Sequence, residues 1–106
     1  MAKFVLLYTG GSEPTTEAEG AAVMQAWMGW FNQLGAAVVD GGNPLGSAVK
    51  SIASDGSVGD GLAGPPVTGY SILTADSLDA AVALAKSCPH LQAGGAVNVY
   101  EAIEMM

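Results

Sequence analysis

In the stretch KSCPHLQAGG, residues 86–95, a lysine, the only cysteine and the only histidine of the chain fall within five positions. His90 has the one side chain whose ordinary titration lies near neutrality, which makes it the candidate general acid or base. Its competing role is that of a turn residue after Pro89. Lys86 and His90 would favour a Cys88 thiolate, but the negative end of a helix closing at Pro89 opposes one, and Cys88 reads as a buried structural residue. A single Cys and a single His two positions apart leave no second ligand pair, so no metal site is expected. The glycine pairs at 10–11, 41–42 and 94–95 are turns rather than a phosphate-binding fingerprint before a helix, and no serine sits in a G-x-S-x-G elbow. No cofactor is expected.

A second constellation is aromatic. Tyr8, Trp27, Trp30 and Tyr70 combine large apolar surfaces with polar tips, the means by which an apolar pocket orients a small molecule. They are equally the material of a core. Asn98, in mid-strand and expected to be half-buried, needs a polar partner that a side chain, a water or a ligand could supply. The candidate ligand-binding residues are therefore Tyr8, Trp27, Trp30, Tyr70 and Asn98.

The elements that must position these residues follow from periodicity. KFVLLYT (3–9) is apolar on both alternating faces, which marks a central strand covered on both sides. Thr16 with Glu19 three residues later forms a capping box, and Met24, Trp27, Met28, Phe31 and Leu34 then fall on one helical stripe that Gly35 closes. Val23 and Trp30 widen that apolar arc to roughly 160°, more than docking on one sheet requires. AAVVD (36–40) is a second strand. The glycine-rich 41–66 region contains a short hairpin arm, with Asp55-Gly56 favouring a two-residue turn. VTGYSILT (67–74) is a third main strand. Asp76 is the expected N-cap of a helix that buries Leu78, Ala81, Val82 and Ala85 and ends at Pro89. AVNVYEAIEM (96–105) is the last strand.

This order predicts a single-domain α+β protein over residues 1–106, a ferredoxin-like βαββαβ sandwich with main strands in spatial order 4-1-3-2 and both helices on one face. The opposite face would remain apolar and open, which predicts a homodimer. His90, Tyr8 and Asp40 gather at one rim of such a sheet. Asp40 is the candidate to orient the imidazole, but its strand lies three spacings from the last one, roughly 14 Å. A His90–Asp40 pair then requires a folded-over loop or the partner chain.

Ten acidic residues against three lysines, with a net charge of −7, exclude nucleic acid and anionic membrane surfaces from the expected partners. One cysteine and an initial apolar run too short to span a bilayer fit a cytoplasmic protein. The segments KFVLLYTGG, LGAAVVDGGNPLG, DGSVGDG and TGYSILTADSLDAAVALAKSCPHLQAGGAVNVYE together resemble the YCII-related family, which includes the DGPF-type proteins. The resemblance implies a dimeric α/β barrel with a cleft between helices and sheet. It also brings a histidine–aspartate acid-base role proposed for some members. The chain reads GDGLAGPPVTGY where the DGPF motif would stand. Two function classes follow: a dimer that binds a small molecule without catalysis, or a small isomerase or lyase using His90 on an apolar or aromatic substrate.

Overall fold

A computed structural model describes residues 1–62 and 64–104. The chain runs through β1 (Ala2–Gly10), α1 (Glu17–Leu34), a 3-10 turn (Gly35–Ala37), β2 (Val38–Asp40), β3 (Lys50–Ile52), β4 (Val58–Asp60), β5 (Gly69–Ala75), α2 (Leu78–Ala85), the single turn α3 (Pro89–Gln92) and β6 (Gly95–Ala102). The main sheet has the order β2-β5-β1-β6 with every neighbouring pair antiparallel, and β3 pairs with β4 in a separate hairpin. The architecture is α+β, and its four main strands lie in the expected spatial order.

Alternation along the central strands divides the sheet into two unlike faces. Phe4, Leu6 and Tyr8 on β1 are buried, as are Ser71, Leu73 and Ala75 on β5, while Val5, Leu7, Tyr70 and Ile72 are half-buried. The buried face carries both helices: Leu6, Tyr8 and Leu73 pack with Trp30 of α1 and with Ala85 and Cys88 at the end of α2. The other face has no covering layer among the described residues. The molecule is accordingly a slab of 44 × 42 × 18 Å with a radius of gyration of 15.3 Å, against about 13 Å for a compact chain of this length.

The ends of α1 form as the sequence predicts, with one displacement. Thr16 Oγ1 accepts from the Glu19 N–H at 3.1 Å, but the Glu19 carboxylate returns to Thr15, accepting from its N–H at 2.8 Å and its hydroxyl at 2.9 Å. These bonds hold the Glu19 carboxyl below its ordinary range. Gly35, at φ 58°, closes the helix.

Several local expectations are corrected. Ser77, not Asp76, caps α2, its side chain accepting from the Ala80 N–H at 3.1 Å. Within α2 only Ala81 and Ala85 are buried, and Leu78 and Val82 face outward. Small residues bring this helix close to the sheet, leaving no room inward for longer ones. Pro89 does not terminate a helix; it opens α3, where a missing N–H costs nothing because first-turn donors lack helical partners. Residues 36–37 belong to the 3-10 turn rather than to β2, and the third main strand begins at Gly69 rather than Val67. β6 ends at Ala102, and the last residue of the expected strand, Met105, lies outside the described residues. The hairpin arm is present, but Ser54, Asp55 and Gly56 form a three-residue connection, with Gly56 at φ 89° and Ala53 bonded to both Gly56 and Ser57.

Two glycines test this packing in opposite directions. Gly42 sits at φ 78° with its Cα against β5, where a Cβ would run into the Tyr70 carbonyl; Gly29, in the middle of α1, has open space around it. Gly42→Ala is expected to lower stability by roughly 2 kcal/mol or more. Gly29→Ala should raise it by about 0.5–1 kcal/mol through helix propensity. Urea midpoints of the two variants measure both.

Candidate functional site

The turn α3 exists because Pro89 fixes its first residue, and it delivers His90 back onto the end of β1. His90 Nε2 lies 2.8 Å from the Thr9 carbonyl oxygen. A carbonyl can only accept, so Nε2 carries the hydrogen and, in the neutral ring, Nδ1 holds a lone pair. No second bond to the ring is formed among the described residues, and no buried side-chain polar atom there lacks a partner, so Nδ1 is open to solvent. The imidazole fits this slot because two residues lack side chains. A Cβ on Gly11 would lie 2.8 Å from its Cε1, and a Cβ on Gly95 would occupy the ring's own place.

Beside the imidazole stands Tyr8, with ring centroids 5.3 Å apart, and Trp27 meets Tyr8 edge-on at 5.2 Å and an interplanar angle of 78°. The Tyr8 hydroxyl donates to Ser71 Oγ at 2.9 Å, and Ser71 donates onward to the Gly41 carbonyl at 2.8 Å. Burial pushes the Tyr8 phenol well above its ordinary range, partly offset by the Ser71 bond, and burial likewise pushes up the Cys88 thiol. Both groups are neutral at physiological pH.

These residues form one wall of a cavity of about 550 Å³. α1 contributes Val23, Met24, Trp27, Met28 and Phe31 to it; the β1–α1 loop contributes Gly11 to Pro14, and the turn after β2 contributes Gly41 to Pro44. The lining is largely apolar, and among the described residues Glu13 is its only acid and it holds no lysine. Among the described residues no three His, Cys, Asp or Glu side chains cluster as metal ligands do.

The expected site residues separate into two groups. His90, Tyr8 and Trp27 are brought together at the cavity. Tyr70 borders it, although its register opposite Leu7 places it by alternation on the uncovered face. Trp30 stands behind the wall, buried, its indole N–H shared between Ser87 Oγ at 3.0 Å and the Leu84 carbonyl at 3.3 Å. Those bonds make it a tie between α1 and α2, and it does not line the cavity. Asn98 pairs with Leu7 and is exposed on the uncovered face, so its amide needs no buried partner. Asp40 does not orient His90: β2 and β6 are the two opposite edges of the sheet, and the Asp40 carboxylate accepts from the Gly42 N–H at 2.8 Å. It shapes the Gly41–Gly42 turn instead, and the Thr9 carbonyl is what orients the imidazole.

Met24 and Met28 lie on the apolar stripe that the sequence predicts, yet they are 63% and 60% exposed and line the cavity. The signal is the over-wide apolar arc of α1: of its two widening residues Val23 lines the cavity while Trp30 turns into the core. Ser71 and Glu13 carried no such signal, because one looks like an ordinary strand residue and the other like an ordinary loop residue.

No protein-family model matches the chain, and no curated protein matches it. Among the described residues no helix is long and apolar enough to cross a membrane.

Cys88 and Tyr8 generate a prediction at alkaline pH. Both have folded-state pKa values raised above their unfolded values, so the stability they contribute is complete below the unfolded values and is lost as pH rises. Stability should fall from about pH 8.5, where an unfolded cysteine ionises, and more steeply past about pH 10, where an unfolded tyrosine does. Tyr8→Phe should flatten the second part of the loss in urea titrations across pH 7–11. In the native protein at pH 8, Cys88 should react with a thiol reagent at least about a hundredfold more slowly than in urea.

Proposed function

We propose that this chain is a small-molecule-binding protein that works as a homodimer, with a ferredoxin-like sandwich of the YCII-related kind in each subunit. The carrying observation is the cavity itself: about 550 Å³ between α1 and the sheet, walled by Tyr8, Trp27, Phe31, Met24 and Met28, with one oriented imidazole at its polar end. A space of that size and composition suits a largely apolar or aromatic ligand. The second subunit accounts for the thin slab. Val5, Leu7 and Ile72 need a layer over them, Tyr100 is 57% exposed on the same face, and the β3–β4 arm holds Ile52 at 73% exposure. A cytoplasmic setting, with Cys88 reduced, belongs to the same reading.

Catalysis is the second reading, favoured by the free Nδ1. An imidazole whose other nitrogen is fixed by a carbonyl is set up to take a proton from a bound substrate at Nδ1, the work of a base in an isomerase or lyase. Asp40 has no part in it.

Sedimentation velocity at micromolar concentration should show a dimer that Tyr100→Glu weakens, and a monomeric wild type would defeat the dimer. Native mass spectrometry of freshly purified protein should reveal a bound small molecule that Trp27→Ala loses; retention at unchanged affinity would defeat the cavity as its site. His90→Gln keeps an N–H for the Thr9 carbonyl and removes the basic nitrogen. Under the binding reading it changes ligand affinity alone, whereas under catalysis it lowers turnover by roughly a hundredfold or more with the fold intact.

A further inference from the structure

The side-chain hydrogens at the polar end of the cavity are already spent. Tyr8 donates to Ser71, Ser71 to the Gly41 carbonyl, Ser12 to the Ala93 carbonyl at 3.2 Å, Thr68 to the Tyr8 carbonyl at 3.1 Å, and His90 Nε2 to Thr9. What the side chains of this end offer a ligand is lone pairs, foremost that of Nδ1. The Trp27 indole and the Asn43 amide keep donors elsewhere in the lining, but neither carries charge.

The one charged side chain in the lining is Glu13, and the loop that carries it is pinned on both sides. On one side Ser12 binds the Ala93 carbonyl through its N–H at 2.9 Å as well as its hydroxyl; on the other Thr15 is held by the Glu19 carboxylate, with Pro14 between. The main chain on either side of Glu13 is thus held in place, and its exposed carboxylate stands at the mouth of the cavity. The whole chain adds a net charge of −7, which draws cations toward the molecule and repels anions. The rings of Tyr8, Trp27 and Phe31 in the lining supply the aromatic surface that attracts an organic cation.

We infer that the cavity takes a protonated amine on an aromatic or apolar body, its N–H donating to His90 Nδ1, its charge offset by Glu13 and its body held against Tyr8, Trp27 and Phe31. This rests on the small-molecule reading of the same cavity and specifies the ligand's charge. Neutral and anionic ligands of equal shape are discriminated against: the anion meets Glu13 and no lysine among the described residues of the lining, and the neutral one loses the charge attraction.

Four probes of one shape test it by isothermal titration calorimetry at low salt: 2-(aminomethyl)naphthalene, 2-naphthylmethanol, 2-methylnaphthalene and 2-naphthoate. The amine should bind about tenfold or more tighter than the alcohol and the hydrocarbon, naphthoate should not bind, and the amine should shift the Trp27 indole N–H resonance. Glu13→Gln should bring the amine down to the level of the alcohol while the alcohol is unaffected. Equal binding of the hydrocarbon or of naphthoate, or an amine affinity unchanged in Glu13→Gln, overturns the cation assignment and leaves the small-molecule reading standing. Absence of binding by all four probes overturns both.

Discussion

The buried phenol of Tyr8 is the constraint on which the rest of this site depends. Its side chain lies on the covered face of a central strand, where the hydroxyl must find a partner or cost the fold a desolvated polar group. Ser71, on the neighbouring strand and itself fully buried, supplies that partner, and its own hydrogen goes to Gly41. The chain of bonds links β1, β5 and the turn after β2, three segments that surround the cavity. With the hydroxyl anchored, the ring is held between Trp27 and His90, and the aromatic wall has one geometry rather than several.

From that anchor the division of labour along α1 follows. Trp30 faces the sheet and ties the helix to the end of α2, whereas Trp27, one helical turn earlier, faces the cavity. Two residues of the same type three positions apart thus serve different ends: one is consumed by the core and the other retains a surface for a ligand. Met24 and Met28 extend the second role, with flexible side chains that can adapt to a bound shape. The apolar surface of this helix exceeds what its sheet can cover, and the excess is what makes the cavity.

The main strands, their order, the cap at Thr16 and the gathering of Tyr8 and His90 at one rim were legible in the sequence, because alternation, helical spacing and turn residues are local patterns with few readings. The orienting partner of His90 was not. It is a main-chain carbonyl, which every residue possesses and no side chain announces, whereas the carboxylate of Asp40 is visible in the sequence. Asn98 was misplaced for a related reason: alternation on a strand says which residues share a face, but not which of two apolar-looking faces is covered. Pro89 was read by its ability to end helices, when the structure uses its equal ability to begin one.

The histidine slot shows why such a site resists reading from one segment. His90 supplies the ring, but the space for it is made by Gly11 at the end of β1 and Gly95 at the start of β6, strands that pair so that Gly10 faces Gly95. A side chain at either glycine would push the imidazole off the Thr9 carbonyl, and with it the lone pair that Nδ1 presents. The slot is therefore a ring, two absent side chains and a carbonyl from three parts of the chain. Only the ring has a chemical signature in the sequence; the other components are features of backbone proximity, and they acquire meaning when the antiparallel pairing of β1 with β6 brings them within contact of one another.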